Sequence, residues 1–299
     1  MQPSVRKEKV RKNRVFEAIV VFFMALFAFS FLLMFVWMFF NSFRLVANYN
    51  ANPSNMFDFE GVNPGNLFDN YKKVFEFTIR YTQNRRHVDV TFGKMLLNSL
   101  LLVLISVGAA VVFPPAVGYV VAKYKFRLRK FIITAVVLTM CIPTIASVTS
   151  TLVFFDKLHL TNTWLSVVLM HFGGINFGVL LYSNYFGALP TEYIESAKLD
   201  GASNMRTYLS IMLPQAMPII TAQIIFAVIG SWNDYMTPFM YLRTHPNVAY
   251  GVNSLSGAFS NAYPVVFAAL FMTSAVTLII YACFSKTVMS SLSAGGVKG

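Results

Sequence analysis

Six stretches of this chain contain no Asp, Glu, Lys or Arg, and every other reading has to accommodate them. They cover 26 residues from Ala18 to Phe43, 28 from Met95 to Ala122, 25 from Phe131 to Phe155, 34 from Leu158 to Thr191, 27 from Thr207 to Asn233 and 42 from Thr244 to Ser285. A helix crosses the hydrocarbon layer in about 20 apolar residues, so each stretch is long enough for one span. Charged residues make up 12% of the chain and hydrophobic ones 56%, whereas soluble domains carry roughly 25% charged residues. The expected fold is all-α and integral to the membrane, with six transmembrane helices. The fifth is expected over Ile219 to Tyr241 and the sixth over Pro264 to Ser285. The first stretch is too long for the apolar part of a cleaved signal and lacks a small-residue cleavage site behind it, so it reads as a retained helix.

Lysine and arginine set the expected orientation. Arg6, Lys7, Lys9, Arg11, Lys12 and Arg14 crowd the N-terminus, and the loop KYKFRLRK from Lys123 to Lys130 holds five basic residues in eight. Cytoplasmic loops are enriched in these residues, which puts both termini in the cytoplasm, with 15 Lys/Arg inside and 9 outside. The net charge of +12 is then a consequence of topology and gives no ground for a nucleic-acid partner. The chain divides into a basic cytoplasmic N-terminus (1–14), a first transmembrane helix (15–43), an external loop (44–94), a transmembrane core (95–285) with a cytoplasmic loop at 187–218, and a cytoplasmic tail (286–299). Within 44–94, the stretch NLFDNYKKVFEF reads as a helix, and the whole segment as a cap over the outer face. Pro114 and Pro115 fall in the second span and Pro143 in the third, where neighbouring helices must satisfy the backbone groups they free. The loop from Leu242 to Tyr263 is rich in Asn, Ser, Gly and aromatic residues, a composition that suits disorder or adaptable hydrogen bonding.

No metal or catalytic constellation is visible. His87, His159, His171 and His245 have no ligand-like spacing, and His171 reads as a hydrogen-bonded structural residue. Cys141 and Cys283 both fall in expected spans, where a thiol usually serves as a small packing group.

One polar segment interrupts the apolar pattern: ESAKLDGASNMRTYLSIMLP, Glu195 to Pro214. Thr191 is suited to cap a helix whose early turns hold Glu192 and Glu195, where acids favour the helix dipole. Gly201 can close that helix in the left-handed conformation, and Ser203 can cap a second helix running to Leu213 before Pro214. Ile194, Ala197 and Gly201 share a face on which small residues permit close approach of another backbone, and Glu195 can offer a carboxylate to a basic partner. By physics alone the segment either folds back on its own helices or docks on another protein.

Glu195, Ser196, Ala197, three residues, Gly201, nine residues, then Ile211, Met212, Leu213 and Pro214 resemble the EAA signature (E-A-A-x3-G-x9-I-x-L-P) of bacterial ABC importer permeases, with Ser196 for the second residue. NSLLLVLIS at Asn98, AKYKFRLRK at Ala122, LDGAS from Leu199 through Ser203, SWNDY at Ser231 and the ending SAGGVKG at Ser293 are similar to the maltose-type, MalG-like carbohydrate permeases. The likeness covers about Asn98 to Gly299 well and the external loop poorly.

The resemblance implies a subunit that seats its EAA segment in a cytosolic ABC ATPase dimer, with Glu195 paired to a basic residue there and Asp200, Ile211, Leu213 and Pro214 in the same coupling segment. It further implies a second homologous permease subunit, an extracytoplasmic solute-binding protein contacted by the Arg243 to Tyr263 loop, a sugar substrate, a tail from Ala294 to Gly299 reaching the interface between the two ATPases, and a multi-pass location in the bacterial inner membrane against membrane lipid. The chain has no G-x-x-x-x-G-K-[ST] phosphate loop, so the expectation is a translocation subunit that is not itself an enzyme, with ATP and Mg held by the partner ATPase and no cofactor or metal of its own.

Asp234 is the one acid in an apolar span, which makes it a functional hypothesis by default. It admits a hydrogen-bonding role near the outer gate or a lining role in the pathway. Trp232, Asn233 and Tyr235 can contact a sugar or pack between helices. A secondary transporter driven by an ion gradient is the alternative, but a single intramembrane acid, no visible inverted repeat and a coupling segment it would not need all speak against it. An integral-membrane enzyme fits less well, as no nucleophile and base pair up.

Overall fold

The computed structural model describes residues 3–55, 57–83, 86–142, 144–172 and 176–295, with side chains given from 15 to 284 except at 56, 83–86, 143–146 and 173–175. The chain forms two compact units, Met1–Phe75 with Leu255–Met272, and Glu76–Ser254 with Thr273–Gly299. The basic side chains of residues 6–14, Pro143 and the tail side chains lie outside the described residues.

Among the described residues, four helical stretches are long and apolar enough to cross a bilayer: Val15–Ser42 within α1 (Pro3–Ser42), α4 (Phe92–Lys123), Trp164–Ala188, and Tyr263–Phe284 within α15 (Tyr263–Gly295). Trp164–Ala188 is made of α7 (Trp164–Phe172) and α8 (Phe177–Ala188). A fifth is a bent pair, Asn204–Gln215 followed by Met217–Asn233 at 75°. The third expected span, Phe131 to Phe155, is instead two helices, α5 (Arg129–Cys141, 13 residues) and α6 (Thr144–Lys157, 14 residues). Ile142 between them is extended, at φ −83° and ψ 121°, the conformation to which the ring of a following proline biases the residue before it. Pro114 and Pro115 do not have that effect: α4 runs through both, and both are buried.

The fifth helix also ends earlier than expected. α12 (Met217–Asn233) stops where Asp234 turns to φ −76° and ψ 103°, and α13 (Met236–Tyr241) follows. The Leu242 to Tyr263 loop is not disordered, since it contains α14 (Val248–Ala258). Val248, Val252 and Leu255 are buried at helical spacing, a stripe hidden by the polar composition around it. The all-α expectation needs one correction. β1 (Thr78–Gln83) pairs antiparallel with β2 (Arg86–Thr91) inside the segment expected to be loop. Alternating Thr, Tyr, Val and Ile favour a pleated surface, and Arg80 faces Asp89 across the ladder with Nε donating to Oδ1 at 2.8 Å and Nη2 to Oδ2 at 3.2 Å.

In the first unit the chain leaves α1 through a polar knot. Arg44 is fully buried, donating to the carbonyl oxygens of Asn48 and Asn52 at 2.9 Å each, to Asn41 Oδ1 at 2.9 Å and to the carbonyl of Asp58 at 3.2 Å. Asp58 Oδ2 lies 3.5 Å away, and the guanidinium sits over the Tyr49 ring. α2 (Val46–Ala51) and α3 (Asp69–Glu76) complete the turn, with Asn70 of α3 donating to the carbonyls of Ser42 and Arg44. The NLFDNYKKVFEF helix is thus present, over Asp69–Glu76.

In the second unit α4 packs on α8 and α12. Gly118 permits a close helix approach: a Cβ there would stand 2.5 Å from Tyr182 Cβ, inside any real carbon contact. Tyr119, Tyr182, Phe186, Met212, Ala216 and Ile220 form the core next to it. At the other end, Leu102, Val167 and Leu242 pack together, and Asn162 clasps Thr244, accepting from its backbone N–H at 3.0 Å.

Candidate coupling site

The segment between α8 and α12 folds as its residue types dictate. α9 (Glu192–Leu199) ends at Asp200, and Gly201 takes φ +76°. The N–H of Ala202 bonds to the carbonyl of Ala197 at 2.9 Å and that of Gly201 to Lys198 at 3.0 Å. That pair of bonds is the Schellman closure, which needs the left-handed residue a glycine supplies without a side-chain clash. Ser203 Oγ then accepts from Arg206 N–H at 3.3 Å, capping α10 (Asn204–Thr207). The expected helix, glycine joint and helix are all present.

Three details differ from expectation. Thr191 does not cap α9; it has helical backbone angles and makes no capping bond. Pro214 does not end the second helix. It sits at the start of α11 (Leu213–Gln215), and the chain turns at Ala216, where a buried Cβ meets the core. Between them Tyr208–Met212 winds as a π-helix, an irregularity that recurs at functional sites. The added residue in that turn has no signature in the sequence.

The shared face expected of Ile194, Ala197 and Gly201 is split between two uses. Ala197 is 3% exposed and Ile194 packs on the core, so these two seat α9 against its own chain. Gly201 remains open, with nothing within 4 Å of where a Cβ would stand. Ile211 and Leu213 also pack inward beside Met212. Exposed on the outside are Glu195, Ser196, Lys198, Leu199, Asp200 and Pro214. Leu199, at 89%, is the most exposed of the large apolar side chains described. Among the described residues Glu195 enters no ion pair. A free carboxylate thus stands beside a bare leucine on a helix anchored from behind.

The SWNDY residues separate as well. Trp232 is buried and its Nε1 donates to the carbonyl of Thr273 in α15 at 3.2 Å, so it packs between helices. Asn233 is exposed and returns a bond to the Ile229 carbonyl. Asp234 lies beyond the end of α12: Oδ1 accepts from Thr237 N–H at 3.0 Å, capping α13, while its carbonyl accepts from Asn247 at 2.6 Å. Tyr235 is 43% exposed. The hydrogen-bonding role of Asp234 is therefore visible in the geometry, and it explains why the helix stops there.

Other residues behave less uniformly. His171 Nδ1 donates to the Val167 carbonyl at 2.9 Å, as a structural histidine should. Cys141 and Cys283 are exposed on their helices and do not pack inside. Burial pushes the His245 imidazole below its ordinary value. Arg80, bonded to Asp89, holds that carboxyl below the usual carboxylate range. Sequence reasoning missed Arg44 altogether; its only signal was a cation directly after an apolar stretch that ends in Asn41, Ser42 and Phe43.

A bundle of apolar helices carrying an exposed, helix-anchored joint is the architecture of a multi-pass translocation subunit. The chain belongs to the family of binding-protein-dependent transport system inner membrane components, whose pattern it matches over residues 115–286. It is 29% identical over 236 residues to the maltodextrin transport system permease protein MalD of Streptococcus pneumoniae, covering 78% of this chain and 80% of that one. The arabinooligosaccharides transport system permease protein AraQ of Halalkalibacterium halodurans is 29% identical over 210 residues, 70% of this chain and 74% of its own. The fold matches a chain in the crystal structure of a bacterial ABC transporter involved in the import of the acidic polysaccharide alginate, with a TM-score of 0.72 at 20% identity, over 92% of this chain and 97% of that one.

Proposed function

We propose that this chain is the permease subunit of an ATP-driven, binding-protein-dependent importer of a sugar or oligosaccharide in the bacterial inner membrane. The observation that carries this reading is the exposed Glu195 to Asp200 edge, held by a Schellman joint at the positions of the EAA signature. The carbohydrate assignment draws its support from the permeases of maltodextrin and arabinooligosaccharide systems that the chain resembles. In this reading six spans arise when the α5 and α6 pair counts as one and α12 forms the fifth without the coupling helices before it, with both termini and the basic loop at 123–130 in the cytoplasm. Segment 44–94 lies outside.

Glu195 pairs with a basic group of a separate ATPase, while Leu199 and Gly201 let α9 sit deep in its cleft. Ser196, Asp200 and Pro214 add polar and steric definition to the same surface. Ala197, Ile211 and Leu213 serve coupling from behind, by fixing the segment to its own core. ATPase closure then moves the segment as a rigid body and tilts the spans it joins, a two-state switch between inward-open and outward-open forms. ATP and Mg belong to that partner, and a second permease subunit completes the pathway. Among the SWNDY residues, Asn233 and Tyr235 remain the side chains open to solute, with Trp232 and Asp234 shaping the outer gate.

The test is uptake by vesicles reconstituted with the complete transporter and loaded with ATP. Glu195→Lys is expected to abolish uptake at least tenfold, corresponding to about 1.4 kcal/mol of lost coupling, while insertion stays normal. Wild-type uptake in that variant would remove the docking role, and uptake that follows an ion gradient without internal ATP would select the secondary-transporter alternative.

A further inference from the structure

A groove of about 480 Å³ opens between the end of α4 and the coupling segment. Tyr119 and Val120 of α4, Phe126 of the following loop, and Met205 and Tyr208 of the coupling segment form its apolar walls, with Lys125 at the edge. The Tyr119 and Tyr208 rings lie 5.0 Å apart. Tyr119 is 3% exposed, and the Tyr124 ring, 5.8 Å from it, lines the same groove. The result is an apolar trough that something should cover.

Position and charge indicate what that something is. α4 has 32 residues, about 48 Å at 1.5 Å per residue, against roughly 30 Å of hydrocarbon. Centred on the hydrocarbon, α4 extends about 9 Å past it at each end, which sets its last turn and the groove at headgroup level. Lys125 and Arg127 are exposed in the loop that follows, and Lys130 in the first turn of α5. Phe131 beyond them is 67% exposed and Val120 43%, so apolar surface continues from the groove towards the bilayer. A neutral apolar occupant would leave the cations unused, and a soluble anion would leave the trough unused.

We propose that the groove holds an acyl chain of an anionic phospholipid whose phosphate is met by Lys125 and Arg127. One lipid then bridges the end of α4 and the helix that follows Ser203, so the composition of the leaflet tunes the stiffness of the coupling segment. The inference requires only that α4 crosses the bilayer, and it stands whether or not the solute is a sugar.

The assembled transporter in mild detergent is incubated with phosphatidylglycerol or with phosphatidylcholine of the same chains, and retained lipid is counted by native mass spectrometry. Phosphatidylglycerol should be retained in preference, and Lys125→Gln with Arg127→Gln should cut that preference on the order of tenfold. Met205→Trp, which fills the trough and lies on an exposed position, should reduce retention of both lipids while the complex stays intact by size-exclusion chromatography. Equal retention of the two lipids by the wild type overturns the proposal, as does unchanged retention in Met205→Trp. If Met205→Cys is shielded from an aqueous maleimide in lipid-free complex but labelled in the isolated chain, a protein subunit covers the groove and the lipid assignment is wrong.

Discussion

Arg44 and Glu195 both break long apolar stretches, yet the chain treats their charges in opposite ways. Around Arg44 every donor is turned inward: two main-chain carbonyls at 2.9 Å, an asparagine oxygen and Asp58 surround a guanidinium that water does not reach. Around Glu195 the bonds that close α9 run between main-chain groups only, and the charged ends of Glu195, Lys198, Asp200 and Arg206 are left exposed. A buried charge has meaning only through the partners it keeps. An exposed one contributes little to stability and remains available to another molecule. The same residue types thus serve as fixed architecture in one region and as an unsatisfied surface in the other.

Substitutions can break that contrast. The largest effect is expected for Arg44→Leu, which strands the carbonyls of Asn48 and Asn52 and the side chains of Asn41 and Asp58; a loss of about 3–5 kcal/mol should appear as a lowered unfolding midpoint of the solubilised protein. A change under about 1 kcal/mol would mean that the knot is decorative. Gly201→Val forces a β-branched residue to positive φ and should cost about 1–3 kcal/mol. Its effect should be confined to faster amide hydrogen exchange over residues 192–203, and a global loss of stability would show that the joint belongs to the core after all. Ser203→Ala removes the cap at 3.3 Å and should cost about 1 kcal/mol in the same exchange measurement over Asn204 to Thr207. Glu195→Gln is the smallest in stability, within about 0.5 kcal/mol, yet it should still slow uptake; a stabilised or unfolded variant would erase the distinction between the two regions.

Much of this was readable in the residues because the deciding signals are local. Gly201 and Ser203 each specify a backbone state within four positions of themselves, and the structure has both. The long uncharged stretches gave α1, α4 and α15 directly. What escaped was set by partners distant in sequence. The Arg44 knot depends on Asp58 and on Asn70, which reaches back 26 residues to the Arg44 carbonyl. The end of α12 depends on Asn247, 13 residues beyond Asp234. Ala197 looked free for a partner because its small size fits either side of a helix, and only its burial assigns it inward. The hairpin was obscured by its charged residues, which sit opposite one another and so suit a strand pair.

The bend at Ala216 has a mechanical consequence. The helix before it and α12 after it meet at 75°, so a push along the first arrives almost crosswise on the second. Under the proposed coupling, axial travel of a few ångströms at the inner surface would become sideways swing of a span, and hardly at all sliding along its own length. A straight helix would work as a piston; this one would work as a bell crank, with the buried alanine as its pivot.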